Sequence, residues 1–159
     1  MSTGTLIRLA SADDALAIAR MSRDLIEQGL GWSWTPLRVR RSIADASTNV
    51  VLALHGAWPV GFGIMKYRDD EAHLLLLAVA PEFARQGIGR ELVAWLEAAA
   101  RVAGIGQVYL EARFANAAGR AFYRRLGYAE IQTVPGYYAG VEASVRMAKD
   151  LWIEQPASA

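Results

Sequence analysis

Cysteine is absent from this sequence of 159 residues, and histidine occurs only at His55 and His73. Without thiols the chain has no disulfide framework, no thiolate ligand for a metal and no cysteine nucleophile. Two histidines are also too few for a histidine-rich metal site. We therefore predict a protein without a bound metal, and the lack of cysteine is compatible with a reducing compartment.

A surplus of charge of either sign is also lacking, because 17 Lys and Arg residues are balanced by 16 Asp and Glu residues, for a net charge of +1. Nucleic-acid-binding domains generally carry a basic surplus, so we expect no nucleic-acid partner. The longest unbroken apolar run, residues 74–81, is far shorter than the ~20 residues of a membrane-spanning helix. Residues 1–5 carry no signal-peptide pattern. We expect a cytoplasmic protein without a membrane partner.

The sequence does have enough apolar material for a core, with 53% hydrophobic and 21% charged residues. Its length fits one domain, which we predict at 1–153, followed by a frayed tail at 154–159. Hydrophobic periodicity and turn residues predict the element order β-α-α-β-β-β-α-β-α-β-β. Short turns between the early strands predict antiparallel pairs, and the later helical crossover predicts a parallel neighbour. The fold class is therefore α/β or α+β, a mixed sheet with helices on both faces.

Two helix starts carry recognisable signals. Ser11 followed by Asp14 forms a capping box in its Asp variant, and we expect that helix to end at Gly29. Thr35 before Pro36 is an N-cap and first-turn pair, which predicts a second helix to about position 46. The strand predicted at 72–79 is apolar on both faces, so we expect it to be central and buried.

A glycine-rich turn, Gln86-Gly87-Ile88-Gly89, lies between this strand and the next predicted helix. Its glycines permit close approach of the backbone, and the free N–H groups of a helix N-terminus attract a pyrophosphate. The pattern alone is equally compatible with a turn that binds no ligand. It is neither a dinucleotide fingerprint, because Leu92 stands at the third glycine position, nor a P-loop, because no Gly-Lys-Ser/Thr follows.

Residues 78–90, with this turn at their centre, resemble the strand and loop that bind acyl-CoA in the GCN5-related N-acetyltransferase (GNAT) superfamily. The resemblance extends over most of the chain and implies the GNAT fold, a mixed, mostly antiparallel sheet of about seven strands with about four helices, and acetyl-CoA as cofactor. One departure is Ala84, where the family has Gln or Arg. The implied cofactor-binding residues are Leu77, Ala78, Val79, Arg85, Gln86, Gly87, Ile88, Gly89, Arg90 and Asn116.

A second set of residues resembles one branch of the superfamily, the ribosomal-protein alanine N-acetyltransferases. Its members are Leu110-Glu111-Ala112-Arg113, Asn116, Tyr123 and Leu126-Gly127-Tyr128, with Gly119 where the branch has Ala. The branch also has a tyrosine pair at the spacing of Tyr137 and Tyr138. The loop that carries this pair is shorter here, which favours a small amine over a peptide N-terminus as acceptor.

The resemblance implies that Glu111 is the base that deprotonates the amine and that Tyr123 is the acid that protonates the thiolate. The residues themselves allow other interpretations. Glu111 can be a structural carboxylate paired with Arg113 or another arginine, and Tyr123 can be a packing residue beside Phe122. His73 is a rival base. Asn116 can cap the helix that follows it, contact the pantetheine, or both.

Four aromatic residues are candidates for the substrate site. Trp32 and Trp34 fall where the acceptor-side helices of the family meet, although both can equally pack in the core. Tyr137 and Tyr138 are expected in a loop between the last two strands, where they wall the acceptor site or form a dimer contact. A homodimer is compatible with the superfamily. The predicted function is acetyl transfer to a small amine; the alternatives are N-terminal protein acetylation and a weakly active acyl-CoA-binding or sensing domain.

Overall fold

The computed structural model describes residues 4–138 and 142–153. It contains seven strands and four helices, which confirms the predicted fold class and element order. The strands are β1 (Thr5–Leu9), β2 (Thr48–His55), β3 (Trp58–Tyr67), β4 (Glu71–Val79), β5 (Gln107–Arg113), β6 (Ala129–Tyr138) and β7 (Glu142–Asp150). The helices are α1 (Ala15–Leu25), α2 (Pro36–Ala44), α3 (Ile88–Val102) and α4 (Ala117–Arg125).

The strands form one sheet in the order β1-β2-β3-β4-β5-β7-β6. All neighbours are antiparallel except β4 and β5, which α3 connects as a parallel pair. This is the crossover predicted from the sequence, and it divides the sheet into an N-terminal and a C-terminal half. Within the described residues, no helix is long and apolar enough to cross a membrane.

The two halves of the sheet separate at the parallel pair. β4 and β5 are in register only from Glu71 opposite Gln107 to Leu74 opposite Leu110. Beyond this point β4 continues to Val79 along β3, and β5 continues to Arg113 along β7. The facing edges of the two strands therefore diverge, and a wedge opens in the middle of the sheet.

Helices cover both faces of the sheet, as predicted. Leu92 and Leu96 of α3 pack with Val51 and Met65 in one buried cluster. On the opposite face, α1 and α2 contribute to a second cluster that contains Phe62. The two layers together remove the apolar faces of the sheet from water, which is the main source of stability for such a fold.

Three local predictions needed correction. α1 is preceded by a 3-10 turn at Ala12–Asp14, although the Ser11 N–H still donates to the Asp14 carboxylate at 2.8 Å. α1 also ends at Leu25 rather than at Gly29, because the Glu27 N–H bonds back to the Ser22 carbonyl and the chain leaves the helical path.

The third correction concerns the tyrosine pair, which was expected in a loop between the last two strands. β6 runs to Tyr138, so the tyrosine pair ends a strand rather than forming a loop. Tyr138 is paired with Glu142 of β7. The predicted tail at 154–159 lies outside the described residues.

Candidate active site

Two clefts open on the wedge between β4 and β5. The front cleft, about 880 Å³, lies between the segment that joins α1 to α2 and the diverging strands, and is lined by Trp34, His73 and Glu111 among others. The rear cleft, about 650 Å³, lies between the loop at 83–90 and α4. Both volumes are in the range of small-molecule sites.

The two clefts share part of their lining, and the shared residues lie at the wedge. They are Leu77, Ala78, Val79, Asn116 and Tyr123. The clefts therefore adjoin at the wedge, where a ligand in the rear cleft and another in the front cleft would lie close together. On the side facing β5, residues 75–79 have no described strand partner, so their backbone groups remain available to an extended ligand.

The parallel register brings the two rival bases together. His73 lies opposite Tyr109, so Glu111, two positions further on, follows on the same face of the sheet. The His73 Nε2 and a Glu111 carboxylate oxygen are 2.5 Å apart. Arg146, directly opposite Glu111 on β7, places its guanidinium 3.7 Å from the other carboxylate oxygen. Glu111 and His73 are thus one hydrogen-bonded pair rather than independent groups.

The environment of Glu111 keeps its carboxylate ionised. Partial burial raises the pKa of this group, but the hydrogen bond from His73 and the charges of His73 and Arg146 together outweigh it. The net pKa is therefore below the usual value for a glutamate. The predicted alternative partner, Arg113, instead donates to the Ile26 carbonyl at 2.9 Å.

Tyr123 lies where the two clefts meet, on the face of α4 that points towards the sheet. Its ring contacts those of Phe122 and Tyr128 edge-on, with centroids 5.1 and 5.8 Å away. Tyr128 is itself fixed, since its hydroxyl donates to the buried Glu97 carboxylate at 2.8 Å. Burial, followed by the charge of Glu97 and this hydrogen bond, raises the pKa of Tyr128. The ring of Tyr123 is therefore held by packing at the place where the two clefts adjoin.

Asn116 is the N-cap of α4, and its side-chain oxygen accepts from the Gly119 N–H at 3.0 Å. The capping role predicted for it is confirmed, and the same residue also lines both clefts. Gly119 belongs to this cap, because a Cβ at that position would overlap the Asn116 amide nitrogen. The Ala that the related branch has here therefore requires a shift of the cap.

The glycine-rich turn forms the mouth of the rear cleft. Gly87 is the N-cap of α3 with φ of +82°, and Arg85 also has a positive φ of +63°. These conformations turn the chain sharply into α3, whose N-terminal N–H groups have no intrahelical partner. Gly89 sits against Phe122, which a Cβ would approach to 3.1 Å. The turn is thus packed directly on the helix that carries Tyr123.

Substitution Gly87→Ala is expected to weaken acetyl-CoA binding by about tenfold, because a side chain at this φ strains the turn by roughly 1 kcal/mol or more. Gly104→Ala is a matched control, since Gly104 has φ of +80° and, like Gly87, open space around its Cβ position, but follows the other end of α3. Thermal unfolding should show similar destabilisation of both variants. Calorimetric titration with acetyl-CoA should show a loss only for Gly87→Ala; equal affinities would remove the turn from the binding site.

The structure places nine of the ten predicted cofactor-binding residues on the rear cleft; Gln86 is exposed and does not line it. Ala84 lines the cleft beside Arg85 and Arg90. Sequence analysis missed Arg125, in the last turn of α4, which adds a third guanidinium. Three cations at one cleft suit a polyanionic ligand.

The two tryptophans have different surroundings. Trp34 is 8% exposed and packs in the buried cluster that contains Phe62, which is the core alternative, and it also lines the front cleft. Trp32 packs against α1 instead: its indole N–H donates to the Ala19 carbonyl at 3.2 Å, and Arg23 lies over its ring. Trp32 does not line the front cleft in the described part of the chain. Nothing is described of the side chains of Tyr137 and Tyr138.

A buried carboxylate that sequence analysis missed holds the wall of the front cleft. Glu27 accepts hydrogen bonds from the Ser33 N–H and hydroxyl at 2.7 and 2.8 Å, and from the Ser22 hydroxyl at 2.8 Å. The Trp34 N–H is a further donor at 3.3 Å. Burial raises the pKa of Glu27, but these donors outweigh it and leave the pKa below its usual value. The charged form of Glu27 therefore holds the backbone of Ser33 and Trp34 in place.

The described residues contain no group of three His, Cys, Asp or Glu side chains arranged to bind a metal. Glu111, hydrogen-bonded to His73, lines the front cleft, and Tyr123 lies where the two clefts adjoin. A carboxylate and a phenol can accept and donate protons, which is the chemistry that transfer of an acyl group to an amine requires.

Comparison with known proteins agrees with this geometry. The Acetyltransferase (GNAT) family matches residues 18–128. The chain is 38% identical over 90 residues to the [ribosomal protein bS18]-alanine N-acetyltransferase of Escherichia coli K12, covering 55% of this chain and 61% of that enzyme. It is 34% identical over 82 residues to an N-alpha-acetyltransferase of Sulfurisphaera tokodaii, 49% of which is covered. The chain thus spans about half to three fifths of the length of these curated relatives.

Solved structures extend the similarity over the whole fold. The crystal structure of the ribosomal-protein-S18-alanine N-acetyltransferase from Escherichia coli has a TM-score of 0.81 at 24% identity, covering 98% of this chain and 99% of that one. PaiA N-acetyltransferase from Thermoplasma acidophilum, solved in complex with coenzyme A, has a TM-score of 0.80 at 21% identity, covering 92% and 98%. At these identities the likeness shows the fold.

Proposed function

Since the chain belongs to the Acetyltransferase (GNAT) family, we propose that it transfers the acetyl group of acetyl-CoA to the primary amine of a small molecule. The observation that carries this proposal is that two clefts adjoin at the wedge. The rear cleft is suited to the cofactor, the front cleft to the acceptor, and Tyr123 lines both. This arrangement lets two ligands react at the wedge without either leaving its own cleft.

The rear cleft fits acetyl-CoA in shape and charge. The α3 N-terminus and the turn at Gly87 would hold the pyrophosphate, and Arg85, Arg90 and Arg125 would add positive charge. The free edge at 75–79 would hydrogen-bond the pantetheine arm as an added strand does. The cofactor supplies a thioester, an activated acyl group with a thiolate as leaving group. Its carbonyl would then lie at the junction beside Tyr123.

The chain's own residues would move two protons. An ammonium has no lone pair, so Glu111, ionised and hydrogen-bonded to His73, would accept a proton from the acceptor directly or through a water. The nitrogen lone pair forms the new N–C bond as the C–S bond breaks. Tyr123 would donate its phenolic proton to the departing sulfur, and the products are an amide and a free thiol. The nitrogen loses a second proton when the amide forms. Of the two protons that the ammonium gives up, one returns through solvent to the Tyr123 phenolate and the other is released to solvent, which completes the cycle.

A second candidate is N-terminal protein acetylation. It is favoured by the 38% identity to the ribosomal-protein alanine N-acetyltransferase. Against it stands the front cleft, whose wall at Trp34 is fixed by Glu27 and which has the volume of a small-molecule site. The third candidate, an acyl-CoA-binding or sensing domain, does not account for the hydrogen-bonded His73–Glu111 pair in the front cleft.

The test is release of free thiol from acetyl-CoA in the presence of pooled small amines, compared with pooled peptides that differ in their first residue. We expect faster release with the small amines. Faster release with peptides that begin with Ala or Ser would establish the second candidate. No release in either pool, together with calorimetric binding of acetyl-CoA, would leave the sensing domain as the function.

A further inference from the structure

Arg38, in the first turn of α2, is a cation at the front cleft that the mechanism above does not use. Its guanidinium lies over the Trp34 ring, with its central carbon 3.8 Å from the ring centroid. Its hydrogen bond to the Ser33 carbonyl is long, 3.5 Å, and it makes no ion pair with an acid in the described part of the chain. Most of its donors therefore remain open to the cleft and to solvent.

The position of Arg38 is fixed by the structure beneath it. Trp34 is buried, and the Glu27 carboxylate binds the backbone at Ser33 and Trp34. Thr35 then caps α2 by accepting from the Arg38 N–H at 3.3 Å. Stacking on a fixed ring reduces the side-chain entropy that an arginine loses when it binds an anion. A guanidinium held in this way is preorganised to receive a carboxylate through two parallel hydrogen bonds.

The other charged groups of the front cleft are already engaged. Arg113 donates to the Ile26 carbonyl and lies 3.8 Å from Glu142. Glu27 is saturated by neutral donors, as described above. Glu111 is bound to His73 at the wedge, where the acceptor amine has to arrive. The cleft therefore has an anionic site at its inner end and an uncommitted cation, Arg38, on its wall.

From this arrangement we infer that the acceptor carries a carboxylate in addition to its amine, and that Arg38 binds this carboxylate. The acceptor class is thus amino-acid-like small molecules. This inference rests on the proposed function and narrows its substrate. Arg38 acts on specificity: it orients the acceptor so that the amine points towards Glu111, and it takes no part in proton transfer.

The test compares pairs of acceptors that differ only in charge. A series of amino acids with increasing separation between amine and carboxylate is assayed beside the corresponding carboxamides and plain alkylamines. Thiol release from acetyl-CoA gives kcat/KM for each. We expect one separation at which the carboxylate form exceeds its carboxamide by about 10- to 100-fold, as a charge-assisted bidentate contact would give.

Three variants assign the preference to Arg38. Arg38→Gln should lose about tenfold or more in kcat/KM for the preferred amino acid, through KM, while kcat/KM for the carboxamide stays within about twofold. Arg38→Lys should retain only part of the preference for the carboxylate, because an ammonium keeps the positive charge but cannot donate two parallel hydrogen bonds as a guanidinium does. Arg40→Gln is the matched control, an exposed arginine on the same helix that does not line the cleft, and should behave as the wild type.

The outcomes separate this inference from the proposed function. If carboxylates and carboxamides are acetylated equally, or if Arg38→Gln and Arg40→Gln have equal effects, the inference is wrong and the acetyltransferase stands. If peptides with an acidic second residue are acetylated faster than every free amino acid, Arg38 binds the acidic side chain of a peptide, and the assignment of a small-molecule acceptor is wrong. If no amine in any arm releases thiol although acetyl-CoA binds, the proposed function fails and the inference with it.

Discussion

Substitution Glu111→Gln is expected to lower kcat/KM for acetyl transfer by about 100-fold or more, the range that loss of a general base produces. Glutamine keeps the size of the side chain but can neither accept the proton nor carry the charge that faces His73 and Arg146. Acetyl-CoA affinity should change by no more than about twofold, because Glu111 lines the front cleft and not the rear one. Steady-state kinetics and calorimetric titration measure the two effects separately.

His73 provides the decisive comparison for this prediction. Because His73 acts through its hydrogen bond to Glu111, His73→Gln should lower kcat/KM by about tenfold, less than Glu111→Gln does. The double variant should be no slower than Glu111→Gln alone, because the two residues act as one unit. If His73→Gln is the slower single variant, the imidazole accepts the proton, Glu111 orients it, and our assignment of the base is wrong.

The pH dependence follows from the lowered pKa of Glu111. A base whose pKa is depressed stays ionised above that pKa and loses function only as the pH falls through it. In the wild type, the limb of the kcat/KM profile assigned to Glu111 should therefore lie below the usual range of a glutamate, about pH 4.3. A second limb of the profile, set by deprotonation of the acceptor amine, lies at much higher pH. This second limb shifts when acceptors of different basicity are used, which distinguishes it from the limb assigned to Glu111.

Much of the fold was predictable because its signals are local. Hydrophobic periodicity, the Thr35–Pro36 helix start and the glycine-rich turn each depend on residues close in sequence. The parallel β4–β5 pair followed from the helical crossover between them. The place where these strands part was not predictable, because it depends on how β3 and β7 hold the outer edges of β4 and β5.

The individual residues of the candidate site could be predicted from the sequence, but their arrangement in space could not. Glu111 and His73 were rivals in the sequence, and only the strand register makes them partners. Glu27 was missed because it was assigned to a helix, whereas the chain leaves α1 at Leu25 and turns its carboxylate towards Ser33. Trp32 and Trp34 look equivalent in sequence, yet only Trp34 is on the cleft. The strand register and the path of the chain after α1 decide these differences, and hydrophobic periodicity does not encode them.

Substitution Tyr123→Phe is expected to reduce kcat by about 30- to 100-fold. Removing the hydroxyl leaves the ring and its contacts with Phe122 and Tyr128 in place, so the lining of the two clefts is otherwise unchanged. The phenol would donate its proton to the sulfur as charge develops on it, and the expected loss lies in the range that removal of a general acid produces.

Three measurements distinguish this role of Tyr123 from a structural one. Acetyl-CoA affinity and melting temperature should be nearly unchanged, while kcat falls. Tyr67→Phe is the control, because the Tyr67 hydroxyl accepts from the Asn49 amide and neither residue lines a cleft. This variant should have lower stability and an unchanged kcat. Thioesters with more acidic thiols should be less sensitive to Tyr123→Phe, because a better leaving group needs less help. If the loss of rate is the same for every leaving thiol, Tyr123 positions the substrates and does not stabilise the departing sulfur.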